Sequence, residues 1–173
     1  MSPEIQIIWP NVIHSVFKFF AEYEYTVGTG TPKTLVQHLG NGLKIRAGYP
    51  DDLTEITEPV LAICSPDELG VSEEFFGEDL VEYESVFYLY GFTVVGDRAH
   101  TNRVYRDRFF NDVFHLMSGP AGSEGIDLYD HVTKTLIGSI EVDQPRGRHI
   151  PVNLIGVPAD RYKFVVTAGV HYV

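Results

Sequence analysis

VEYESVFYLYGFTVVGDRAHTNRVYRDRFFNDVFHLM, residues 81–117, holds the two segments on which the fold turns. In its first half, Val86, Tyr88, Tyr90, Phe92 and Val94 alternate with Tyr83, Phe87, Leu89 and Val95. Apolar side chains on both sides of a period of two describe a central strand with material packed on each face. In its second half, Tyr105, Phe109, Phe110, Val113, Phe114, Leu116 and Met117 recur at helical spacing, which predicts an amphipathic helix over about 101–117. Such a helix covers a sheet. Arg103, Arg108, Asn111 and Asp112 fall outside its stripe or on its borders, whereas Arg106 projects from within it. That guanidinium must snorkel, pair within the chain, or meet a carboxylate across a subunit boundary, because an unpaired buried charge is costly.

Upstream, Phe17–Val27 reads as a strand by alternation, although Val12, Ile13, Val16, Phe17, Phe20 and Tyr23 also satisfy helical spacing behind Asn11. Ile5–Trp9 reads as a short strand, and Gly28-Thr-Gly30 closes off an N-terminal extension or arm, residues 1–30. The remainder, 31–173, reads as one domain. Thr31 or Thr34 caps a short helix ending near Leu39, with Gly40-Asn-Gly42 as its stop. Leu43–Ala47 and Glu58–Cys64 follow as strands, separated by the acidic turn region Gly48–Thr57. Ser65–Asp79, with Pro66, Gly70 and Gly77, reads as a loop.

Downstream of the main helix, Ser118–Gly125 reads as flexible, and Ile126–Val132 with Leu136–Asp143 as a hairpin through Thr133-Lys134-Thr135. Gln144–His149 is expected to loop, Ile150–Ile155 to be a short strand, and Arg161–Val173 to alternate cleanly to the final residue. The fold class is therefore α+β: a mixed or antiparallel sheet against one main amphipathic helix (101–117) and a short N-terminal helix.

Charge is sorted along the chain. Thirteen carboxylates and no Lys or Arg lie between Asp51 and Asp97, after which Arg98, Arg103, Arg106 and Arg108 arrive within eleven residues. Unlike patches on one molecule either neutralise each other internally or pair copies head to tail. The net charge of −11 argues against tight non-specific binding to nucleic acid, which depends on cationic side chains at phosphates. It suits a surface past which DNA moves without sticking. Cys64 stands alone, so no internal disulfide forms, and its place in an apolar run predicts a buried, inert thiol. The start lacks a basic segment followed by a long apolar one, and no run of about 18 apolar residues occurs. The expectation is a soluble product of the cytosol with no membrane contact.

Chemistry-bearing motifs are sparse. G-x-S-x-G, the phosphate-cradling G-x-x-x-x-G-K-[ST], C-x-x-C and H-E-x-x-H are all missing. Asp127, Asp130 and His131 make the nearest approach to a metal cluster, but Asp130 alternates onto the opposite strand face. Glu82 and Glu84 imitate a carboxylate pair, and Asp51-Asp52 and Asp67-Glu68 lack the calcium-loop pattern. The reading is of a non-enzyme, with no catalytic, cofactor-binding or metal residues and no cofactor. An enzyme with an unrecognised carboxylate and His site is the rival from another class.

The succession of Glu58-Pro-Val-Leu-Ala-Ile, Asp67-Glu-Leu-Gly70, Phe87-Tyr-Leu-Tyr-Gly-Phe, an Arg-studded helix, Ile126-Asp-Leu-Tyr-Asp and a closing strand opening Asp160-Arg-Tyr resembles the neck proteins of tailed bacteriophages. It is similar in particular to the tail-terminator or tail-completion proteins, over residues 31–173. The resemblance implies a homo-oligomeric ring in the virion, usually sixfold, that caps the tail tube and joins it to the head-side connector. DNA passes through its lumen. Glu68, Glu73 and Glu74 on one flank and Arg103, Arg106 and Arg108 on the other are the expected subunit-interface residues. Another β-rich virion part, from tail tube, baseplate or capsid, shares this composition; tube proteins usually pack one helix against a β-sandwich.

Overall fold

The structure is a computed structural model that describes residues 8–48, 56–71, 82–93, 99–154 and 157–172. Helix α1 is Trp9–Glu22, followed by the two-residue strands β1 (Glu24–Tyr25) and β2 (Lys33–Thr34) and helix α2 (Leu35–Leu39). Strands β3 (Lys44–Ala47), β4 (Val60–Val71) and β5 (Glu82–Thr93) precede helices α3 (Ala99–Ser118) and α4 (Pro120–Ser123). Strands β6 (Ile126–Tyr129), β7 (Leu136–Leu154) and β8 (Val157–Tyr172) complete the chain. Six strands form one mixed sheet in the order β3-β4-β5-β8-β7-β6. Only β3 and β4 run parallel; the other neighbours are antiparallel. The fold is α+β, with β5 central as its two-sided apolar pattern requires.

The main helix forms because its apolar stripe has a face to cover. Tyr105, Phe109, Val113, Leu116 and Met117 are buried, and α3 lies across β5, β8 and β7. Gly91 makes this approach possible, since a Cβ there would sit 2.2 Å from Cε1 of Phe109. The second face of β5 is covered unevenly: Phe92 and Ala62, the partner of Tyr90, are fully buried, while Tyr88 and Tyr90 are partly exposed.

Helix α1 corrects the strand reading of Phe17–Val27 as far as Glu22, while Glu24–Tyr25 within that range is strand β1. Val12, Val16 and Phe20 enter the same core as α3 and the sheet, each contributing about 1.5–3 kcal/mol by burial. Alternation misled because Phe17, Phe19 and Tyr23 flank the buried Phe20 and pack partly against the core, so apolar residues also fall at every second position. The residues 9–22 of the expected extension are thus built into the domain core. Helix α1 touches β6 at one edge of the sheet and β3 with β4 at the other, so the sheet curls and brings both edges to one helix.

Edge strand β6 is closed by that helix. The Ser15 hydroxyl donates to the Asn11 carbonyl at 2.7 Å and accepts the Tyr129 N–H at 2.8 Å. Asn11 Oδ1 accepts the His131 N–H at 2.9 Å. These bonds satisfy amides that an open edge would present to another strand. At the other edge, β3 is short and carries exposed Lys44 and Arg46, which also discourage unplanned pairing.

Helix α2 follows the expected capping. The Thr34 hydroxyl accepts the Gln37 N–H at 3.4 Å while Gln37 Oε1 accepts the Thr34 N–H at 3.0 Å, and Gly40 ends the helix at φ 58°.

Three expected loops prove more regular. Strand β4 continues through Asp67–Gly70 to Val71, with a register shift between Cys64 and Glu68; residues 72–79 of that expected loop lie outside the described residues. Strand β7 runs through Gln144–His149, with a shift between Asp143 and Arg146. Pro66 and Pro145 fall within these shifts, where a missing N–H costs the ladder nothing. Pro120 starts a single helical turn, α4, inside the stretch expected to be flexible. Cys64 is partly exposed rather than buried.

Candidate functional site

The arginines of α3 occupy three different environments. Arg103 is exposed on the outer side of the helix. Arg106 resolves its conflict within the chain: its Nε lies 3.1 Å from Oδ1 of Asp107, whose side chain is 68% exposed. A pair so open to water contributes little to stability.

Arg108 is bound into the fold. Its Nε lies 2.9 Å from both oxygens of Asp112, a carboxylate that is only 4% exposed. The Tyr25 hydroxyl donates to Asp112 Oδ2 at 2.7 Å, and Asn111 donates to Oδ1 at 3.0 Å. His38 Nε2 stands 2.6 Å from the Tyr25 carbonyl oxygen, and the two rings lie 4.3 Å apart. This network ties β1 and α2 to α3. The Tyr25 phenol is pushed far above its ordinary range by burial, by its hydrogen bond to Asp112 and by that carboxylate's charge, with Arg108 acting in the opposite direction. The sequence did not reveal it, because Asp112 sits on the border of the apolar stripe and Tyr25 is 87 residues away.

Of the acidic candidates, Glu68 lies on β4 opposite Val86 of β5. Glu73 and Glu74 lie outside the described residues, as do Asp51, Asp52 and Arg98. The structure therefore places Arg103 and Arg106 on α3, with Arg103 exposed, and Glu68 on β4, the sheet neighbour of β5.

Asp130 and His131 bond within the β6–β7 turn and to α1. The Asp130 carboxylate accepts the N–H groups of Val132 and Thr133 at 2.8 Å, which holds it below the usual carboxylate range. His131 Nδ1 lies 2.7 Å from Asn11 Oδ1, and Asp127 is exposed on β6. Among the described residues, no three His, Cys, Asp or Glu side chains converge as metal ligands, and no helix is long and apolar enough to cross a membrane. No family model matches the chain, and no curated protein matches it.

Proposed function

We propose that this chain is a structural subunit of a tailed-phage neck, assembling into a closed ring that terminates the tail tube and joins it to the head-side connector. The observation that carries the reading is the sorting of charge. Thirteen carboxylates without a Lys or Arg precede an arginine-bearing helix on which Arg103 faces solvent. A patch of one sign on each flank makes a heterologous contact, and such a contact closes into a ring when its rotation divides a full turn. Acidic walls in the lumen let DNA pass without adhering.

The element order also supports it. From α2 onward, two strands, the long β5, the arginine-bearing helix, the β6–β7 hairpin and a last strand come in the order in which the motifs were read, except that Asp67–Gly70, read as a loop, lies within β4. One curled six-stranded sheet, beside the small β1–β2 pair, with α1, α2 and α3 sharing one core, differs from the sandwich of a tube protein. Negative-stain microscopy of the purified chain tests the reading. End-on views of closed rings with an open centre support it; a field of isolated monomers counts against it.

A further inference from the structure

The strand residues that meet the helices in the core, Leu89, Val166, Val170, Ile140 and Ile126 among them, all lie on one face of the six-stranded sheet. The residues that alternate with them lie on the other face, and there the strand registers sort charge along the strands. The row through Val86 runs Glu68, Val86, Thr167, Asp143 across β4, β5, β8 and β7. The next row towards the start of β5 holds Glu84 and Glu141, and the one after it Glu82, His171 and Asp127. These three rows carry six carboxylates and no Lys or Arg.

In the other direction the row through Tyr88 ends on Arg146, and the row through Tyr90 holds Arg46, Lys163 and Arg148. These two rows carry four cations and no carboxylate. The face is accessible where the sign changes. Asp127, Glu141, Asp143, Arg146 and Arg46 are exposed, and Val86, Tyr88 and Tyr90 are partly exposed, whereas Phe92 further along is buried. Glu141 lies 3.5 Å from His171; among the described residues Asp143 and Arg146 form no ion pair.

We infer that this face pairs with the same face of a second copy, antiparallel, about a two-fold axis that crosses the strands between Val86 and Tyr88. A self-complementary patch must change sign across its centre, because a two-fold axis brings each row onto the row equally far on the other side. Turned in this way, the row of Asp143 meets the row of Arg146 of the partner subunit, and the row of Glu141 meets that of Arg148 of the partner subunit. The centre holds Val86 and Tyr88, with Thr167 and Val165 as their register partners on β8. An apolar centre with charged margins is the usual anatomy of a protein interface.

A sheet face cannot be laid upon itself, so the complement comes from a second copy. The sheet curls towards its helices, which makes this face convex, and the two copies meet along β5 and β8 rather than across its whole width. Each exposed charge pair contributes only about 0–1 kcal/mol. The contact therefore needs a high protein concentration, is separate from the one that closes a ring, and stands whether or not rings form.

The test uses the full chain with Cys64→Ser and Val86→Cys, which leaves one thiol per chain, beside the axis. A short bis-maleimide is added at high protein concentration and the product is read on a denaturing gel. The expected result is a covalent pair at twice the 19.5 kDa chain mass. Asp143→Arg and Arg146→Asp, each added alone, should lower its yield by about threefold or more. The two together should restore it, because the contact across the axis is rebuilt with its signs exchanged. Absence of the pair, a yield indifferent to both single variants, or a double variant no better than either single one would overturn the assignment.

Discussion

The Nε–H of Arg108 points between the two carboxylate oxygens of Asp112, 2.9 Å from each, and Tyr25 donates to the same buried group from another element. A carboxylate 4% exposed is stable only with such partners. Asp112→Ala strands the Tyr25 hydroxyl and the guanidinium together, and should lower unfolding free energy by about 2–3 kcal/mol. Asp107→Ala, at an open surface pair, should change it by less than about 0.5 kcal/mol. Urea unfolding of both variants checks the contrast.

Alkaline stability follows from two phenols. Burial raises the Tyr105 hydroxyl well above its ordinary value of 10.0, and Tyr25 is raised by burial and by Asp112. The folded state holds both protons more tightly than the unfolded chain does. Their contribution is therefore complete below pH 10 and is lost as pH rises beyond it. Tyr25→Phe with Tyr105→Phe should flatten the fall in stability above pH 10, measured by denaturant midpoints across a pH series. Tyr105→Phe alone should be neutral or stabilising near pH 7, because the buried Tyr105 hydroxyl has no hydrogen-bond partner among the described residues.

Closure of the β6 edge depends on two small polar side chains. Ser15→Ala frees the Tyr129 amide and Asn11→Ala frees the His131 amide. Each should cost about 1–3 kcal/mol. Hydrogen exchange should accelerate at Tyr129 in the first variant and at His131 in the second. Equal acceleration at β4 amides in both would mean that α1 acts through packing alone.

Packing of α3 on β5 hinges on the missing side chain at Gly91. Gly91→Ala brings a methyl to 2.2 Å from the Phe109 ring and should destabilise by about 1–3 kcal/mol. Adding Phe109→Leu should recover part of that loss, and the double-mutant cycle measures the coupling. Strict additivity would show that the helix shifts away without cost.

Hydrophobic period made the central strand, the main helix and the α2 cap legible, because each signal is local. The α1 helix was ambiguous for a physical reason: Phe17, Phe19 and Tyr23 border the buried Phe20 and pack partly on the core, so the helix's apolar positions also alternate. Continuous β4 and β7 were hidden by Pro66 and Pro145, which read as breakers yet sit in register shifts. Among interface candidates, the arginines were found by counting charge, but counting cannot separate exposed Arg103 from Arg108, whose partner is buried one turn further along.

Mass photometry across a salt series tests most directly whether opposed charge patches close identical copies into a ring. At low ionic strength the account expects a discrete species near six times the 19.5 kDa chain mass, giving way to smaller species as salt screens the contact. Arg103→Glu should move that transition to lower salt. A single 19.5 kDa species at every salt concentration would contradict the account.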